Sequence, residues 1–202
     1  MVGVELLSQS LLPAVSELAQ DTKWRVRLAV IENMPMLGKQ LGVQFFNEKL
    51  IGLTLGWLAD TVFSIRKAAA TNLRYLADIF GEEWACAHVV PRIKEMQSNA
   101  AFSKRLTALF AVQVLLTKDE RRSAPSRGMV ADALLPMVLN LASDPVPNIR
   151  FNVAKTLVQV SILFKQDFGS APPQELTLVL SKLATDLDRD VRHHAEVAIA
   201  VK

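Results

Sequence analysis

The heptapeptide Asp21-Thr22-Lys23-Trp24-Arg25-Val26-Arg27 decides the fold, because its frame returns along the chain. The further copies are Asp60-Thr61-Val62-Phe63-Ser64-Ile65-Arg66, Asp144-Pro145-Val146-Pro147-Asn148-Ile149-Arg150 and Asp186-Leu187-Asp188-Arg189-Asp190-Val191-Arg192. Each runs from an acidic residue to an arginine six places on, with Val or Ile just before the arginine. A weaker copy, Asn99-Ala-Ala-Phe-Ser-Lys-Arg105, lacks the aspartate but falls on the period. Successive arginines, at 27, 66, 105, 150 and 192, are 39, 39, 45 and 42 residues apart. That is the period of HEAT and armadillo arrays.

Each period reads as two helices. The first carries apolar residues at helical spacing, as in Leu11, Leu12, Val15 and Leu18, and often a proline near its start (Pro13, Pro91, Pro136). The second follows the Val/Ile-Arg pair with its own stripe, as in Val26, Ala29, Val30, Met34 and Leu37. One face serves the partner helix within the repeat and another the next repeat. No alternating run is bounded by hairpin turns, so the expected fold is all-α: an α-α superhelix, or solenoid, of about five HEAT repeats. They form a single array, with repeats near 8–40, 45–80, 84–118, 129–166 and 172–202. Gly42, Gly81 and the polar stretch 118–128, KDERRSAPSRG, mark the connections between repeats. That stretch is an inserted loop and accounts for the spacing of 45; such insertions cost little.

Composition bounds the function. Half of the 202 residues are apolar and 21% charged, with a net charge of +3, which describes a folded chain and excludes disorder. A pI near 9.1 invites a nucleic-acid reading, but three excess charges of mixed patterning make a weak field for a polyanion. No stretch approaches a membrane span. The N-terminus lacks the basic and apolar regions of a signal peptide, and the single cysteine, Cys86, reads as a small core residue in a reducing compartment. The expected address is cytoplasmic or nuclear, with neither nucleic acid nor membrane as a partner.

The fixed separation of six assigns roles to the repeated pair. The aspartate lies in the turn between the helices and caps the second one. The arginine, one turn into that helix, reaches the aspartate of an adjacent repeat, making a ladder. The alternative, a basic stripe for phosphate, is disfavoured because each copy brings its own acid.

The residues between them are unusual for a solvated turn. Lys23, Trp24 and Arg25 set a tryptophan between two cations. Thr61, Val62 and Phe63 take the equivalent place one repeat later, and Phe102 and Val146 continue the row. Apolar residues in surface turns mark interaction sites, and Trp and Arg are favoured anchors. Folding back onto the core is the competing reading for any one of them.

At these residues the chain resembles the scaffolding (A, regulatory) subunit of protein phosphatase 2A. The resemblance rests on Leu11 to Leu50, on WLAD…IRKAA around Trp57 to Ala69, on FGEEWACAHVVPRI from Phe80 to Ile93, and on DPVPNIRFNVAKTL from Asp144 to Leu157. It implies a horseshoe of fifteen HEAT repeats, of which this chain matches the last five. It also implies that the phosphatase catalytic subunit docks on the ridge of intra-repeat turns, while a regulatory subunit is held by N-terminal repeats outside this chain. Carried over, the site is Trp24 and Arg25, Val62 and Phe63 (with Phe63 in place of a tyrosine), Phe102, Arg105 and Val146. The basic insertion and the fifth repeat, with Arg189, His193 and His194, depart from the family pattern. An array of this kind needs polar terminal caps, so an exposed apolar face and self-association are expected at Met1–Val4.

Catalysis finds little purchase. His88 is alone in sequence, while His193 and His194 are adjacent on a helix, about 100° apart, and cannot chelate one ion together. No phosphate loop, cysteine pair or His-Glu-x-x-His occurs. No catalytic residue, metal or cofactor is expected. A HEAT-like nucleic-acid enzyme such as a DNA glycosylase is the enzymatic alternative. A transport-receptor-like adaptor with a peptide in its concave face is the other; it would repeat Trp or Asn along the second helices, and neither recurs.

Overall fold

The computed structural model describes residues 11–118 and 124–200. The expected apolar end at Met1–Val4, the core of the inserted loop (119–123) and Val201–Lys202 lie outside the described residues. Among the described residues there is no strand. The chain forms two compact units that divide after Ala85.

The first unit opens in a helix, α1, over residues 11–18. It continues through α2 (Trp24–Leu41), α3 (Val43–Lys49), α4 (Ile51–Gly56), which tightens into a 3₁₀ turn at Trp57–Ala59, α5 (Phe63–Phe80) and α6 (Glu82–Trp84). The two long helices, α2 and α5, pack on each other. Their apolar stripes bury Ile31 and Met34 on one side and Ile65, Ala69, Leu73 and Leu76 on the other. Trp57 is buried at the hairpin below, where its Nε1–H donates to the carbonyl of Ala19 at 3.1 Å. Helices α2 and α5 both end on glycines 39 positions apart, Gly42 and Gly81, at φ of 83° and 95°. That left-handed backbone strains any residue with a Cβ.

Proline shapes this unit in a way the sequence pattern did not suggest. Pro35 lies inside α2 and supplies no N–H to the carbonyl of Ile31, one turn back. The buried side chain of Asn72 on α5 fills the gap, its Nδ2 donating to that carbonyl. One polar contact thus repairs a helix and joins it to its neighbour.

Gly38 has a steric role. A Cβ there would lie 2.9 Å from Phe80 Cζ and 3.3 Å from both Leu76 Cδ2 and Phe46 Cδ2. Phe80 has little room to yield, since its ring sits 5.2 Å from Phe46 and 5.0 Å from Trp84. Gly38→Ala is expected to destabilise this unit by about 1–2 kcal/mol, read by urea unfolding, although alanine is the better helix former by about 1 kcal/mol. A stabilised variant would show that the aromatic cluster repacks without cost.

The second unit holds α7 (Val90–Gln97), α8 (Phe102–Leu116), α9 (Leu135–Asn140), α10 (Pro147–Ile162), α11 (Gln174–Leu183) and α12 (Arg189–Ala200). Here α8 packs on α10 and α10 on α12, while α7 and α11 lie against α8 and α12. The core runs through Leu109, Val112, Leu115, Ile149, Val153, Leu157 and Val191, and Gln113 Nε2 donates to Thr156 Oγ1 at 2.9 Å between α8 and α10. Wide π-type turns, Ala85–Val89 and Met129–Leu134, directly precede α7 and α9. Pro91 and Pro136 are the second residues of those helices, and the wide turn accommodates a ring that regular α-helix upstream would clash with. They mark turn widening as well as helix starts. Cys86, in the first π-type turn, is half-buried and not fully in the core, unlike Ala85 and Val89 of the same turn, which are buried.

Candidate functional site

The aspartate–arginine frame builds the turns. In all five copies the arginine Nη1 returns to the backbone carbonyl six residues earlier: Arg27 to Asp21 at 2.6 Å, Arg66 to Asp60 at 2.8 Å, Arg105 to Asn99 at 2.9 Å, Arg150 to Asp144 at 2.8 Å and Arg192 to Asp186 at 2.7 Å. A separation of six is the reach of that clamp, and because a carbonyl is the acceptor, Asn99 serves as well as aspartate. In three of the copies the remaining guanidinium edge grips the next turn. Arg27 Nε and Nη2 donate to Asp60 at 3.0 and 3.1 Å, Arg105 to Asp144 at 2.6 and 3.0 Å, and Arg150 to Asp186 at 2.7 and 2.8 Å. These are bidentate rungs, the strongest form of the pair.

The aspartate does not cap the helix in the expected manner. Its Oδ1 accepts the N–H two residues on, from Lys23, Val62, Val146 and Asp188, which lies outside the first helical turn. In the first, second and fourth copies the aspartate stands two residues ahead of the N-cap position, so it closes an Asx turn ahead of the helix. In the last copy Asp188 takes the helix N–H groups of Asp190 and Val191 instead.

The electrostatics follow from the rungs. Burial pushes the Asp144 carboxyl up, but the hydrogen bonds from Arg105 and the Val146 N–H and the charges of Arg105 and Arg150 outweigh it, leaving it below the usual carboxylate range. Asp186 is lowered chiefly by the hydrogen bond from Arg150, against the opposing effect of burial.

The frame holds the predicted site residues at the helix starts. In the first unit Trp24 is half-buried with the Arg25 guanidinium 4.6 Å from its ring centroid. Phe63 is 63% exposed, with Arg66 at 5.7 Å. Lys23 and Thr61 are exposed, and Val62 is half-buried. The Arg27–Asp60 rung ties these two turns together, so the six residues from Lys23 to Arg25 and Thr61 to Phe63 occupy neighbouring positions. Beside them opens a hollow of about 500 Å³ lined in part by Gln20, Leu53, Trp57 and Thr61. In the second unit Phe102 is 50% exposed and Val146 half-buried. Arg105 lies in the Asp144 rung with its side chain only 12% exposed, so its guanidinium is committed within the chain.

Three features escaped the sequence reading. Leu187, in the last turn, is 98% exposed, although its phase is that of Thr22 and Thr61. Asn33 and Asn72 share a phase, each six residues after its arginine, so asparagine does recur on the second helices. Tyr75 on α5 is 48% exposed and Met36 on α2 is 51% exposed, again at one phase. His194 packs edge-on against Phe151 at 4.4 Å, and burial, with His193 and Lys155 nearby, lowers its pKa. Among the described residues no group of three or more His, Cys, Asp or Glu is placed to hold a metal, and no helix is long and apolar enough to cross a membrane.

Comparison with known proteins agrees with this construction. The HEAT repeat profile matches residues 11–41 and 134–164. The regulatory A subunit of protein phosphatase PP2A from Saccharomyces cerevisiae is 42% identical over 130 residues, covering 62% of this chain and 20% of that protein. Serine/threonine-protein phosphatase 4 regulatory subunit 1 of Mus musculus is 26% identical over 181 residues, covering 86% of this chain and 18% of that protein. The chain thus spans about a fifth of the length of these relatives. Among solved structures, that of Cex1p aligns with a TM-score of 0.65 over 98% of this chain and 37% of that one, at 14% identity, a likeness of fold alone. Over the matched segments, then, the chain is similar to HEAT repeats and to the regulatory A subunit of PP2A, and its turns and ladder recur on the same period.

Proposed function

We propose that this chain is a non-catalytic scaffold segment, acting in the cytoplasm or nucleus, that holds the catalytic subunit of a PP2A-type Ser/Thr phosphatase on its intra-repeat turns. The observation that carries the proposal is the exposure of Arg25 and Phe63, with half-buried Trp24 beneath the Arg25 guanidinium, on turns fixed by the Arg27–Asp60 rung. Large aromatic surface and stacked guanidinium on a rigid frame suit a docking ridge, because little conformational freedom is lost on binding. The names of the sequence relatives, all regulatory subunits, support the same reading.

The test is titration of the chain with a purified PP2A-type catalytic subunit. Trp24→Ala and Phe63→Ala are each expected to weaken binding by about 2 kcal/mol, a roughly thirtyfold rise in Kd. Their far-UV circular dichroism should match the parent chain. Unchanged Kd values for both variants would remove these turns from the interface.

A further inference from the structure

Away from the turns, on the face where α2 and α5 run side by side, lies a groove of about 350 Å³ lined by Glu32, Ser64, Lys67, Thr71, Asn72 and Tyr75. One of its polar groups, the Asn72 amide, is oriented by the repair of α2. The Ile31 carbonyl, deprived of a donor by Pro35, can only accept, so the amide nitrogen of Asn72 must face it. That fixes the opposite end of the amide as the carbonyl. Asn72 is 6% exposed, and its Oδ1, on a side chain lining the groove, receives no hydrogen bond from the described residues. Glu32, on the α2 wall, is exposed and forms no ion pair or hydrogen bond there either.

In register along the helices, Glu32 and Thr71 each lie five residues beyond their arginines, with Asn72 one step on. Tyr75 follows about one turn later, and Lys67 lies about one turn earlier. A carboxylate, an amide oxygen and an exposed aromatic ring within two turns form an acceptor set with one complement, a side chain bearing several N–H donors and a positive charge. Lys67 adds selectivity by repelling a second positive charge at its end.

We propose that the α2–α5 groove is a receptor for a single basic side chain, Arg or Lys, carried on an extended segment of a partner protein. The acceptors recognise the charged head, and Ala68 and Tyr75 flank its aliphatic stem. This contact is separate from the turn ridge and stands whether or not that ridge holds a phosphatase.

The test uses the whole chain, isotope-labelled for amide NMR, and the peptide acetyl-Gly-Arg-Gly-amide as probe, with acetyl-Gly-Glu-Gly-amide beside it. Saturable shifts are expected at the amides around Glu32 and Thr71–Tyr75 with the Arg peptide and not with the Glu peptide. Glu32→Gln, an exposed isosteric change that leaves folding intact, is expected to weaken the Arg peptide about tenfold. Equal response to both peptides, shifts confined to other residues, or undiminished binding by Glu32→Gln would overturn the assignment.

Discussion

Replacing Asp144 with alanine is expected to destabilise the second unit by about 3–5 kcal/mol, because it strands a guanidinium that is already desolvated. The Asp144 side chain is 4% exposed and that of Arg105 12%. One carboxylate accepts two bonds from Arg105 and one from the Val146 N–H, and alanine abolishes all three at once. Urea unfolding followed by circular dichroism, with hydrogen exchange to assign the loss to α8 and α10, reads the effect. A loss under about 1 kcal/mol would place the rung among ordinary surface pairs. The same carboxylate sets an acid limit. Its folded pKa lies below its unfolded one, so the unfolded chain binds the extra proton. The rung's contribution is therefore complete above the usual carboxylate range and disappears as pH falls through the lowered value. Asp186 behaves alike, so the parent should lose stability on acidification more steeply than Asp144→Ala.

The second large effect concerns Asn72. Asn72→Ala leaves the Ile31 carbonyl buried without a donor and opens a small void, together costing about 3 kcal/mol. If the need for Asn72 originates in Pro35, Pro35→Ala should remove most of it, since residue 35 would then donate its own N–H to that carbonyl. In the Pro35→Ala background the loss from Asn72→Ala is expected to fall to about 1 kcal/mol, a coupling of about 2 kcal/mol. Additive losses in the double-mutant cycle would show that Asn72 matters for packing alone.

Much of this was legible from the sequence, for a physical reason. The aspartate–arginine frame is a local device: clamp, Asx turn and helix start all fall within seven residues, so their spacing is written in the chain. The turn row followed because it shares that phase, and Phe63 and Phe102 are indeed exposed. What could not be read depends on partners distant in sequence. The side of the carboxylate chosen by the arginine is set by a neighbouring hairpin. Asn72 is a further case, since the carbonyl it serves lies 41 positions away in the chain. The prolines showed the opposite fault: Pro91 and Pro136 read as helix starts alone, although each also marks the wide turn just before it.

The two-sided grip of the arginines bears on how such a chain can change. At the Arg27–Asp60, Arg105–Asp144 and Arg150–Asp186 joints one hairpin presents a plug, its arginine, and the next a socket, its aspartate, and both are satisfied by backbone and carboxylate. The residues lodged between them take no part in these rungs. That leaves Trp24, Phe63, Phe102, Pro147 and Arg189 free to differ from copy to copy while the joint stays the same. A hairpin could be exchanged for another with the same socket and plug, altering what the turns recognise without altering how the hairpins fit.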